Sequence, residues 1–90
     1  MTPTVKPVVN DKRLLTRLSD LAKLGATKDG GVCRLALTDN DRLGRDFLVA
    51  LMQDANLHVR IDQIGNIFGI RRGQKDLPAV MTGSHPDTVR

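Results

Sequence analysis

Aromatic residues are nearly absent from this 90-residue chain: it has two Phe and neither Trp nor Tyr. Any core must therefore be built from Leu, Val, Ile, Met and Ala. Stacking platforms for nucleic-acid bases are also missing. Cysteine occurs once, at Cys33. A single cysteine forms no internal disulfide and offers no CxxC pair to a structural zinc, which favours a reducing compartment. No apolar run approaches the length of a membrane span or of a signal-peptide core. The expected setting is the cytoplasm, with no membrane partner. Charge of one sign does not dominate either. The formal net charge is +4, and the basic residues are scattered, with only Lys12-Arg13 and Arg71-Arg72 adjacent. A nucleic-acid binder concentrates its basic residues on one face, so no nucleic-acid partner is expected.

What is present is one small domain's worth of amphipathic pattern. Residues 1–9, with prolines at 3 and 7, read as an extended arm before a folded region at 10–90. Asn10 is a good N-cap. Leu14, Leu18 and Leu21 follow at helical spacing, and Gly25 supplies a stop. The spacing predicts a first helix over about residues 11–24. A loop containing Gly30-Gly31 leads to Thr38, whose hydroxyl can cap a second helix. Asp41, three residues on, places a carboxylate at the positive helix end. Leu43, Phe47, Leu48, Leu51, Met52 and Ala55 make its apolar stripe, and Asn56 can close it in a left-handed conformation.

The period then changes from 3.6 to 2. Leu57, Val59 and Ile61 alternate with His58, Arg60 and Asp62, which predicts a half-buried strand. Residues 64–67 form a turn or bulge, and a second strand continues from Ile67 to about Arg72. Residues 79–82, continuously apolar, are expected to form a third strand covered on both faces. The order is helix, helix, strand, strand, strand, an α/β pattern. The periodic faces predict burial of Leu14, Leu18, Leu21, Phe47, Leu48, Leu51, Val59, Ile61 and Val80.

The candidate chemistry lies just beyond that last strand, where α/β sheets collect their ligands. In an extended chain residues two apart share a side, so Asp87 can approach the imidazole of His85. A carboxylate on one ring nitrogen leaves the other free for a metal. Pro86 donates no backbone hydrogen bond and holds His85 in extended geometry. An H-x-D triplet is also an ordinary polar turn, with Asp87 free to cap a following helix. His58, on the polar face of a strand, reads as a solvent-exposed histidine.

Three further stretches act together with it: Gly30-Gly31-Val32 with Arg34-Leu35-Ala36; Asp41-Arg42 with Gly44-Arg45-Asp46; and Asp62 with Gly65-Asn66, leading into Phe68-Gly69. With Gly83-Ser84-His85 and Asp87-Thr88 they make the chain, from about residue 10 onward, resemble a family of metal-dependent amidohydrolases. That family comprises N-carbamoyl-L-amino-acid hydrolases, allantoate amidohydrolases and β-ureidopropionases, and is related to zinc aminoacylases and carboxypeptidases. The resemblance implies the N-terminal piece of an α/β/α sandwich catalytic domain of the zinc-peptidase type, with a later lid or dimerisation domain. It implies His85 as a ligand of one of two divalent ions, zinc or manganese, with cobalt and nickel as the other candidates. Asp87 would support that ligand. It further implies a small-molecule substrate with a linear C–N bond, and a homodimeric parent. The chain departs from the family pattern at Pro86, where an aliphatic residue is usual. The family's bridging aspartate and catalytic glutamate lie further downstream than this sequence extends. The 90 residues alone are expected to be inactive. A non-catalytic binding module that keeps the fold pattern is the alternative.

Overall fold

A computed structural model describes residues 6–89. Two helices precede an antiparallel hairpin: α1 (Asp11–Ala22), α2 (Asp39–Asp54), β1 (His58–Ile61) and β2 (Ile67–Ile70). The expected arm falls partly outside the described residues. Residues 6–10 are exposed and carry no regular structure.

Local chemistry fixes each boundary. The Asn10 side chain accepts from the Arg13 amide at 3.1 Å and starts α1. The chain turns after Ala22, and Gly25 adopts φ +92°. A Cβ there would stand 2.5 Å from the Cys33 carbonyl oxygen, so glycine is required by contact as well as by conformation. The Gly30-Gly31 loop folds back on Thr27, whose hydroxyl accepts from the Gly31 amide at 3.0 Å. Thr38 caps α2 by accepting from the Asp41 amide at 3.3 Å. Asp41 reaches back one residue beyond the cap and accepts from the Leu37 amide at 3.0 Å. Its carboxylate is buried there, against the positive end of the helix. Asn56 is left-handed, with φ +60°, and ends the helix as its sequence position predicts.

The hairpin pairs His58 with Ile70, Val59 with Gly69, Arg60 with Phe68 and Ile61 with Ile67. Helix α2 lies across it at Gly69. A Cβ at that residue would come within 2.9 Å of Leu57 Cδ1 and 3.0 Å of Met52 Sδ, so the helix approaches as closely as a bare backbone allows. Asp62, Gly65 and Asn66 close the hairpin as one unit. The Asp62 carboxylate accepts from the Asn66 amide at 2.8 Å, the Asn66 side chain at 2.9 Å and the Ile64 amide at 3.1 Å. The Arg45 guanidinium donates to the Gly65 carbonyl at 2.6 Å and ties the turn to α2.

Two expectations are corrected. Residues 79–82 form no strand: they have no ladder partner, and Val80 is fully exposed. An apolar run becomes a strand only when another strand supplies its hydrogen bonds, and the two-stranded sheet of β1 and β2 does not extend to it. The expected core is likewise open. Leu21, Phe47, Leu48, Leu51 and Val59 are half-buried, whereas Leu14, Leu18, Ile61 and Val80 are exposed. No hydrophobic side chain among the described residues is fully buried. The periodicity locates the apolar faces, but among the described residues they are covered only in part.

The hydrogen bonds from Asn66, first from its side chain and then from its backbone, hold the Asp62 carboxyl below its ordinary value of 3.8. The unfolded chain therefore binds the proton first on acidification. The turn's contribution to stability is complete above the ordinary value and is lost as pH falls through the lower, folded one. Carbon-13 titration of the Asp62 carboxyl should show a midpoint below 3.8, and Asp62→Ala should remove that acid dependence from the hairpin. Gly65, at φ +92°, should resist substitution: Gly65→Ala is expected to cost about 1–2 kcal/mol in denaturant unfolding of the full-length protein.

Candidate functional site

His85 and Asp87 lie in a non-regular segment after the apolar run. The His85 Nδ1 lies 2.8 Å from the Asp87 backbone carbonyl oxygen. It is also 3.3 Å from the Asp87 carboxylate Oδ1. A carbonyl oxygen only accepts, so the short contact requires Nδ1 to carry the hydrogen. In the neutral ring, Nε2 is then the unprotonated nitrogen with a free lone pair. The His85 side chain is 73% exposed, so that nitrogen is accessible. The approach expected from the i, i+2 spacing is therefore present. The shorter of the two bonds goes to the backbone of Asp87 and not to its side chain.

The donor set fits one ligand position. His85 presents a nitrogen of the kind that borderline metals such as zinc prefer. Among the described residues, no group of three His, Cys, Asp or Glu side chains is placed to hold an ion. All the acidic residues of the chain are aspartates, so no glutamate is available as a proton carrier. His58 is exposed on β1 and stands apart from the pair, as its sequence position predicts.

The segment carrying His85 is anchored by a residue to which sequence reasoning assigned no role. Arg34 is 5% exposed. Its Nε donates to the Pro86 carbonyl at 2.8 Å, and its Nη1 donates to the carbonyls of Leu21 at 3.0 Å and Leu24 at 2.6 Å. The Leu21 carbonyl, at the end of α1, also accepts from the Leu24 amide at 3.1 Å, whereas the Leu24 carbonyl has only the guanidinium as partner among the described residues. The Arg34 backbone completes the clamp: its amide donates to Thr88 Oγ1 at 2.7 Å, and its carbonyl accepts from the Thr88 amide at 2.8 Å. Gly44 on α2 makes room for the side chain. The only sequence signals were Arg34, Gly44 and Thr88 themselves, each inside a stretch that carries the family resemblance.

The fold is thus an α/β segment with a histidine ligand candidate at its end. Comparison with known proteins places it more closely. No protein-family model matches the chain. It is 41% identical over 83 residues to an N-carbamoyl-L-amino-acid amidohydrolase of Pseudomonas sp. (strain NS671), covering 91% of this chain and 20% of that protein. It is 39% identical over 77 residues to a ureidoglycolate hydrolase of Arabidopsis thaliana, covering 84% of this chain and 16% of that protein. Among solved structures, a hydantoinase/carbamoylase family amidase from Burkholderia ambifaria superposes with a TM-score of 0.85 at 47% identity, covering 89% of this chain and 20% of that one. An amidase of the same family from Burkholderia multivorans gives 0.84 at 50% identity, covering 88% and 20%. Over nearly all of its length the chain is similar to N-carbamoyl-L-amino-acid amidohydrolases and to hydantoinase/carbamoylase family amidases. It spans about one fifth of the length of the relatives it matches.

The two contacts of Nδ1 separate two effects at Asp87. Replacing the side chain leaves the backbone carbonyl, and hence the tautomer, in place while removing the charge. Asp87→Asn should therefore weaken metal retention only at the low end of the roughly 10–100-fold range usual for such supporting groups, and Asp87→Ala should weaken it more. Metal content by elemental analysis, measured beside turnover in the full-length protein, distinguishes the two variants.

Proposed function

We propose that this chain is the N-terminal part, within residues 10–90, of a dinuclear metal-dependent amidohydrolase that cleaves a linear C–N bond in a carbamoyl or ureido compound. The observation that carries the reading is identity of 36–41% to three N-carbamoyl-L-amino-acid amidohydrolases over nearly all of the chain, together with a histidine whose Nε2 is free. Ureidoglycolate hydrolases among the relatives keep the ureido group within the substrate class. N-carbamoyl-L-amino acids, allantoate and β-ureidopropionate are the candidates. The same reading makes the working protein a cytoplasmic homodimer using zinc or manganese, with cobalt or nickel as replacements.

His85 supplies one ligand nitrogen, and Asp87 holds the opposite ring nitrogen in its donor state. A bound pair of divalent ions contributes Lewis acidity toward the scissile carbonyl and an activated water at neutral pH. The resemblance implies a glutamate as the carrier of the proton to the leaving nitrogen; the chain has none, so that group would come from outside these residues. The apolar faces left open on α1, with Leu14 49% and Leu18 55% exposed, agree with a segment that packs against further chain.

In the full-length protein, His85→Ala is expected to lose one metal equivalent and nearly all turnover of an N-carbamoyl-L-amino acid while keeping its fold. Wild-type metal content and turnover in that variant would overturn the reading and return the segment to an ordinary polar turn. The 90-residue chain by itself should bind zinc weakly, since one imidazole and one carboxylate cannot close a coordination shell. It should show no turnover. Chelator-sensitive hydrolysis by the purified 90-residue chain would contradict this.

A further inference from the structure

We propose that Arg34 is a positioning residue for the metal ligand: it fixes the backbone on which His85 and Asp87 sit, and Gly44 exists to admit it. The inference rests on His85 being a ligand, as proposed above.

Residues 71–85 are all exposed and contain no helix or strand. The only backbone hydrogen bond within that stretch, apart from regular structure, joins the Leu77 amide to the Lys75 carbonyl. The approach to His85 from its N-terminal side therefore contributes little to its location. Order begins at residue 86, where Pro86, Asp87 and Thr88 become half-buried. Both long-range anchors of these residues lead to Arg34. The guanidinium takes the Pro86 carbonyl at 2.8 Å. The backbone of Arg34 exchanges two bonds with Thr88, at 2.7 and 2.8 Å. The anchors flank Asp87 and adjoin His85, so the pair that sets the ring is held from both sides.

The residue type matters. The guanidinium spreads its donors in a planar fork, so Nε can face Pro86 while Nη1 faces the end of α1. A lysine ammonium is a single point and cannot span both. The stem needs space on its α2 side. A Cβ on Gly44 would lie 2.7 Å from Arg34 Cδ and 3.0 Å from Nε. An alanine at that helical position would push the guanidinium out of line with the Pro86 carbonyl. Arg34 touches neither the ring nor the carboxylate in these contacts, so it acts on them only through the backbone.

Zinc affinity of the full-length protein, measured with Zn²⁺ alone by competition with a chelating indicator, reads the effect without turnover. Arg34→Gln and Arg34→Lys are expected to weaken it about 10–100-fold, the range for loss of a group that orients a ligand. Far-UV circular dichroism should be unchanged, and turnover should return in excess zinc. Thr88→Val should weaken zinc binding and Thr88→Ser should restore it, because serine keeps the accepting hydroxyl. This second pair decides the matter if the Arg34 variants do not fold. Gly44→Ala should match Arg34→Gln in direction, and combining it with Arg34→Ala should add little, since the clash needs both side chains. Wild-type zinc affinity in both Arg34→Gln and Thr88→Val, with His85→Ala losing zinc, would overturn this proposal and leave the functional reading standing. Retention of zinc by His85→Ala would overturn both.

Discussion

A buried guanidinium is the constraint on which the relative placement of the elements depends. Arg34 joins the end of α1, the glycine loop, α2 at Gly44 and the segment bearing His85. Every partner of the guanidinium in these bonds is a backbone carbonyl, and no carboxylate among the described residues balances the charge. Taking a cation out of water without a counter-ion is costly, and charge-assisted hydrogen bonds to carbonyls offset that cost only if they are all made. The arrangement therefore tolerates little slack. Removing the side chain would strand the carbonyls of Leu24 and Pro86, each at about 1–3 kcal/mol if it stayed dry; the Leu21 carbonyl would keep the Leu24 amide.

The dependence on polar bonds follows from how little apolar surface is enclosed. The radius of gyration is 16.0 Å, with extents of 55 × 34 × 20 Å, against about 12 Å for a compact domain of this length. Helix α2, through Met52, and the following Leu57 cover one side of the hairpin, and α1 meets α2 near Leu21 and Gly44. The stripe of Leu14, Leu15 and Leu18 on α1 and the run at Val80-Met81 face solvent. Local elements with correct caps thus coexist with a core that is only half assembled. Hydrogen bonding within each turn is settled by residues a few positions apart, whereas burial requires a second surface.

That distinction explains what could be read from the sequence. Asn10, Thr38 and Asn56 act within four residues of themselves, so their positions give the helix boundaries directly. The Asp62-Gly65-Asn66 turn is equally local. The His85–Asp87 approach depends only on an extended i, i+2 geometry and was accessible for the same reason. Residues 79–82 have the pattern of a strand without being one, because hydrophobicity states a preference for burial and does not identify a hydrogen-bonding neighbour. The exposure of Leu14, Leu18, Ile61 and Val80 has the same origin. Arg34 was not recoverable from local pattern: its partners lie between 10 and 54 positions away, and nothing around it in "GVCRLAL" distinguishes a buried arginine from a solvated one.

The geometry at His85 also changes how the carboxylate of Asp87 should be understood. The Asp87 carbonyl, at 2.8 Å, is the better acceptor for Nδ1, and the carboxylate, at 3.3 Å, is the more distant one. Tautomer selection therefore follows from backbone geometry, which Pro86 and the Arg34 clamp impose. The negative charge has a separate consequence: it raises the electron density available at Nε2 by stabilising partial positive charge on the ring when the lone pair is donated. A protein that needs the imidazole in one tautomer can obtain it from a carbonyl alone. Keeping a carboxylate within reach of the same nitrogen is useful where the ring must also donate to a cation, which agrees with the ligand role proposed for His85.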